Sequence, residues 1–88
     1  MRVAARAEGD MQALRRARDS AIALLNRSVA LGHGRLAVLR FVAAVRLGAD
    51  VPASCLDHCR AAAEASDDPT LLRMFVAAVE QDSAARRC

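Results

Sequence analysis

Cys55, His58 and Cys59 lie within the stretch SCLDHC, and together they are the residues best suited to chemistry in this chain. On a helix, positions i, i+3 and i+4 project from one face, so two thiols and an imidazole would stand side by side. Zinc accepts those ligands, but a structural zinc site takes four. The remaining candidates are His33, Cys88 and carboxylates such as Asp57, and none falls into the paired C-x-x-C spacing of a zinc module. A disulfide between Cys55 and Cys59 is disfavoured, because i, i+4 Cβ atoms stand about 5–6 Å apart and a bridge needs about 3.8 Å. Cysteine also behaves as a small buried hydrophobe. We therefore expect the thiols to pack, with no metal or other cofactor held.

Other arrangements that could do chemistry are weaker. Gly32-His33-Gly34 precedes a helix with Arg35 beside it, as an anion-binding loop would. It lacks the preceding strand and the Lys-Ser/Thr of a phosphate loop, and a helix–helix turn accounts for both glycines. No Ser/His/Asp set or paired acid and base can be assembled. The expected chain is not an enzyme.

The elements that carry these residues are helical. Three breaks, at 32–34, 48–50 and 66–69, separate segments with apolar residues at helical spacing, and β-branched alternation is missing. The first helix is expected from about Asp10, as N-cap, to Leu31, with Met11, Leu14, Ala21, Leu25 and Val29 along one stripe. Arg2 to Gly9 could extend the helix, but nothing large and apolar anchors them, and residues 1–9 are expected to fray. The second, Arg35 to Leu47, contains LAVLRFVAAVRL, where Arg40 and Arg46 are the polar positions; a helix apolar nearly all round must be covered on several sides. Gly48 closes it. The third begins at Pro52 as its first helical residue and runs to about Ala65, with Ala53, Leu56, Ala61, Ala62 and Ala63 as its apolar surface. The fourth opens on Asp68 as N-cap and Pro69, and runs to about Gln81 or beyond. Short loops favour antiparallel neighbours. The fold expected is a single all-α domain over residues 1–88, built of four helices in antiparallel hairpins.

Composition bounds the partners. The chain has 88 residues, 55% apolar, with Phe41 and Phe75 as its two aromatics. A core of Ala, Leu and Val is thin, and such chains lean on association for part of their stability. All 13 basic residues are arginine. Residues 1–46 carry nine of them against Glu8, Asp10 and Asp19, a balance of +6, while residues 47–88 carry four against seven acids, a balance of −3. That polarity suits an acidic partner at one end or head-to-tail contact between copies. A basic pI near 9.3 permits an Arg-rich DNA-binding regulator as the alternative function, yet no helix has the polar face of a recognition helix. There is no apolar run of the roughly 20 residues that span a bilayer and no export signal at MRVAARAEGD. With an odd cysteine count, these point to the cytoplasm.

The segment LAVLRFVAAVRLGADVPASCLDHCRAAAEASDDP resembles a degenerate tetratricopeptide unit: an apolar helix, Leu47-Gly48, a turn, a helix with small residues at Ala53 and Ala61, then Asp68-Pro69. The tryptophan and tyrosines of that repeat are absent. From about Gly34 to Glu80 the chain is similar to the tetratricopeptide-like chaperone subunits of type III secretion systems. That resemblance implies a cytoplasmic, non-catalytic chaperone that works with a second small helical protein. Its groove would sequester the amphipathic helix of a needle subunit. The lining it implies here is Leu36, Leu39, Val42, Ala43, Leu71, Met74 and Phe75.

Overall fold

A helix with two polar positions in twelve has to sit among its neighbours, and the second helix does. In the computed structural model, which describes residues 2–87 with side chains from Gly9 to Ala85, the chain forms α1 (Arg2–Ala30), α2 (Gly34–Arg46), α3 (Ala53–Ala65) and α4 (Pro69–Arg87). No strand occurs among the described residues. α2 packs against all three other helices and buries Ala37, Val38, Phe41, Val42, Ala44 and Val45. The rings of Phe41 and Phe75 meet there with centroids 5.3 Å apart and planes tilted by 37°. Leu25 of α1 and Cys59 of α3 complete the centre.

The order of contacts defines the architecture. Each helix touches the next one along the chain, α1 also touches α3, and α2 also touches α4. Among the described residues the backbones of α1 and α4 do not pack on each other; Arg18 of α1 and Gln81, Asp82 and Ala85 of α4 instead line a cleft of about 240 Å³ beside the turn after α2. The four helices are thus an open array, not a ring closed by its first and last members. The molecule is elongated accordingly, with extents of 52 × 28 × 21 Å.

Local chemistry sets the helix ends. At the close of α1, Gly32 takes φ +72°, and the N–H groups of Gly32 and His33 donate back to Val29 O and Ser28 O at 3.1 and 3.0 Å. At the close of α2, Gly48 takes φ +75°, and Gly48 and Ala49 donate to Val45 O and Ala44 O at 2.9 and 3.0 Å. Both are Schellman closures, which need a residue in the left-handed region that glycine enters freely. α3 ends differently: Asp67, not glycine, takes φ +57°. There the Ser66 hydroxyl donates to Ala63 O at 2.7 Å and accepts from Asp68 N–H at 3.2 Å. Asp68 then caps α4 as expected, its Oδ1 accepting from Thr70 N–H and Leu71 N–H at 3.0 and 3.2 Å.

Three expectations need correction. α1 is helical from Arg2, so Asp10 lies inside it and is not its N-cap; Gly9 is accommodated in the interior, where glycine costs roughly 1 kcal/mol relative to alanine. Pro52 is the N-cap of α3, with φ −61° and ψ 144°, and not its first helical residue; its carbonyl accepts from Cys55 N–H and Leu56 N–H. α3 buries Cys55, Cys59 and Ala63, while Ala53 and Ala61 are exposed. The larger, polarisable thiols take the inner face and leave alanines outside.

Candidate functional site

The inward face of α3 decides the role of SCLDHC. Cys59 is fully buried, and its thiol lies 3.5 Å from the carbonyl oxygen of Ala37. Cys55 is buried one turn earlier, and its thiol donates to Asn26 Oδ1 at 3.2 Å. Burial pushes the Cys59 thiol up to about 12, with the neighbouring Cys55 adding to the shift. A thiol held protonated is a poor nucleophile and a poor metal ligand. His58 is half-buried on the same helix. Among the described residues no three His, Cys, Asp or Glu side chains converge as a metal site would require; Cys88 lies outside them. Both described thiols are free and serve the core.

What the array offers to the outside is apolar surface. α2 turns Leu36 and Leu39 outward, 39% and 45% exposed, with Ala43 continuing the line. Their spacing of three and four residues makes one stripe along the helix. Beside it runs a cleft of about 290 Å³ between α2 and α4, walled by Val42, Met74 and Ala77 and flanked by Arg46 and Arg73. Arg40, half-buried on α2, leaves its Nε buried without a hydrogen-bond partner among the described residues.

The seven expected lining residues therefore divide. Leu36, Leu39 and Ala43 face outward, Met74 is half-buried at the cleft, and Val42, Leu71 and Phe75 are core residues with at most 4% of their surface exposed. Val42 still forms part of the cleft wall with Met74; Leu71 lies in the core, and Phe75, though nearly fully buried, lines a different cleft, between α3 and α4. Leu72 and Val76, one turn apart on α4, are exposed and were not among the expected lining. With Arg60, Glu64 and Glu80 they form a second cleft, of about 380 Å³, between α3 and α4. Their i, i+4 spacing next to Arg73 and Glu80 is the amphipathic pattern that could have marked them.

Charge is distributed unequally over these two surfaces. The charged residues at the α2–α4 cleft are both arginines, with neutral Gln81 beside them, whereas the α3–α4 cleft is rimmed by two glutamates and one arginine. The α2–α4 face can thus receive an apolar stripe with acidic edges. No helix is long and apolar enough to cross a membrane among the described residues. Comparison with protein-family models, curated proteins and solved structures returned no match for the chain.

Proposed function

We propose that this chain is a non-catalytic helical chaperone or adaptor that covers the apolar stripe of a partner's amphipathic helix. The observation that carries this reading is the outward stripe of Leu36, Leu39 and Ala43 on the central helix, beside a cleft flanked by Arg46 and Arg73. An apolar stripe of that spacing binds another helix by burying i, i+3, i+4 anchors. The arginines favour a partner with carboxylates beside its apolar residues, and they set orientation more than affinity.

Two further features support the reading. The open order of helix contacts, each helix meeting the next and the next but one, is the order found in stacked helical hairpins of the tetratricopeptide kind. The thin core of small side chains suits a protein stabilised by its ligand. In the resemblance to type III secretion chaperones, the partner is a needle subunit held with a second small helical protein in the cytoplasm. The test is titration of the purified chain with an amphipathic peptide bearing leucines at helical spacing and glutamates beside them, followed by NMR. Shifts centred on Leu36, Leu39 and Met74, absent with a scrambled peptide, are expected; equal response to both peptides, or to neither, refutes the reading.

A further inference from the structure

The first half of α1 leaves the body with its apolar stripe still running. Met11 and Leu14 continue the line of Ala21, Leu25 and Ser28 at helical spacing; those three are buried, whereas Met11 is 65% and Leu14 39% exposed. The change falls at Arg18, whose Nε is bound to the carbonyl oxygen of Leu47, just past the last turn of α2. α1 is one unbroken helix; it faces α4 across the cleft shared by Arg18, Gln81, Asp82 and Ala85, and none of its described residues lines the α3–α4 cleft. Its exposed stripe therefore cannot reach the α3–α4 cleft of its own molecule.

A second molecule's cleft matches it in both polarity and charge. The cleft offers Leu72, Val76 and Val79 as an apolar floor, with Arg60 and Glu64 one turn apart on α3. The stripe offers Met11 and Leu14 between Asp10 and Arg15. Asp10 and Arg15, five residues apart, lie on opposite edges of that stripe, and the rim of the cleft is net acidic, Glu64 and Glu80 against Arg60, so Arg15 can face Glu64 across the apolar contact. The surface used is not that of the proposed partner helix: Leu72 and Val76 lie on a different flank of α4 from Arg73 and Ala77.

We propose that the Met11–Leu14 stripe of one copy seats in the α3–α4 cleft of a second copy, with Arg15 facing Glu64. The contact joins two different surfaces of the same molecule, which is head-to-tail association. It uses the sign difference between the basic first half and the acidic second half of the chain. About one turn of helix in a shallow cleft sits at the small end of interface sizes, so the association is concentration-dependent, not permanent.

Sedimentation equilibrium of the full chain over a range of concentrations tests it. At low salt the weight-average mass rises above 9.4 kDa with concentration, and it falls back toward that value near about 1 M salt, where the Debye length is about 3 Å. Leu14→Glu and Val76→Glu, both at exposed positions, each weaken association by about tenfold or more. Arg15→Glu and Glu64→Arg each weaken it, and the two together restore it. Circular dichroism of each variant confirms that the helices are kept. A mass of 9.4 kDa at every concentration overturns the proposal and leaves the stripe to another protein. Association that ignores Leu14→Glu and Val76→Glu, or a charge exchange that restores nothing, overturns it as well.

Discussion

The Nε of Arg18 donates to the carbonyl oxygen of Leu47 over 2.6 Å, tying the middle of α1 to the residue that closes α2. The guanidinium does two things there. It satisfies a carbonyl that has no partner inside the helix, and it places a positive charge at the negative end of the helix dipole. The next residue, Gly48, is where the chain turns, and a Cβ built on it would come within 3.0 Å of Arg18 Nη2.

Gly48→Ala is expected to lower stability by about 1–2 kcal/mol, because a left-handed φ is strained for any residue with a Cβ. The close atom is the far end of a flexible arginine, so most of the loss is conformational. Urea unfolding checks this through a double variant. In an Arg18→Ala background Gly48→Ala should cost nearly as much; a cost that vanishes there would show that the contact with Arg18, and not φ, is the cause.

Asp68 joins α2 to α4 as well as capping α4, since Arg35 Nη2 lies 3.0 Å from its Oδ2. Its carboxyl is held below the usual carboxylate range, chiefly by the Leu71 N–H, with Thr70 N–H and the Arg35 charge acting the same way against desolvation. A lowered folded-state pKa means that the contribution is complete above the unfolded value, about 3.9. It is lost as the pH falls through the lower folded value. Thermal melts should show a steeper loss of stability below about pH 4 for the wild type than for Asp68→Asn, which keeps an oxygen cap without the charge. Parallel pH profiles for the two proteins would contradict this account.

Cys59 titrates in the opposite sense. Its thiol is raised, so its contribution is full below the unfolded cysteine value, about 8.5, and is lost as pH rises toward the folded value of about 12. Cys59→Ala should therefore lose less stability than the wild type between neutral and strongly alkaline pH. Native alkylation at Cys59, read by peptide mass mapping, should proceed at the rate of unfolding. Rapid labelling of the folded protein would mean that the thiol is not buried as described.

Phe41 and Phe75 are the two aromatics of the sequence, and they pack on each other. Phe41→Ala removes a fully buried ring and is expected to cost about 3–5 kcal/mol, against a total near 5–15 kcal/mol for a domain. Loss of cooperative unfolding at ambient temperature is the expected result. A fall in the urea midpoint equivalent to less than about 1 kcal/mol would show that the core does not depend on this pair.

These positions also show what can be read from residues alone. The central place of α2 was legible because LAVLRFVAAVRL leaves no broad polar face, and both Gly48 and Asp68-Pro69 carry backbone preferences that mark an end and a start. The start of α1 was not legible: Asp10 is a good capping residue, but the residues before it contain nothing that breaks a helix except Gly9, and glycine is tolerated there. The outward face of α2, expected at Leu36, Leu39 and Ala43 through the tetratricopeptide-like resemblance, could not be read from periodicity. When nearly every position is apolar, periodicity cannot separate Leu36 and Leu39, which face out, from Val38 and Phe41, which face in. The neighbours decide that, and the open order of helix contacts leaves one side of α2 uncovered. The two thiols were legible as packing groups, but not their preference over Ala53 and Ala61 for the inner face of α3.

The most direct measurement of the central claim is the binding of an apolar fluorescent dye to the chain alone, compared with a Leu36→Glu/Leu39→Glu double variant. Both positions are outward, so the variant is expected to keep its helicity and its cooperative unfolding. The account predicts strong dye fluorescence from the wild type at native pH, most of it lost in the variant. A wild type that binds no dye, or a variant that binds it equally, would mean that the α2 stripe is not an open surface for a partner helix.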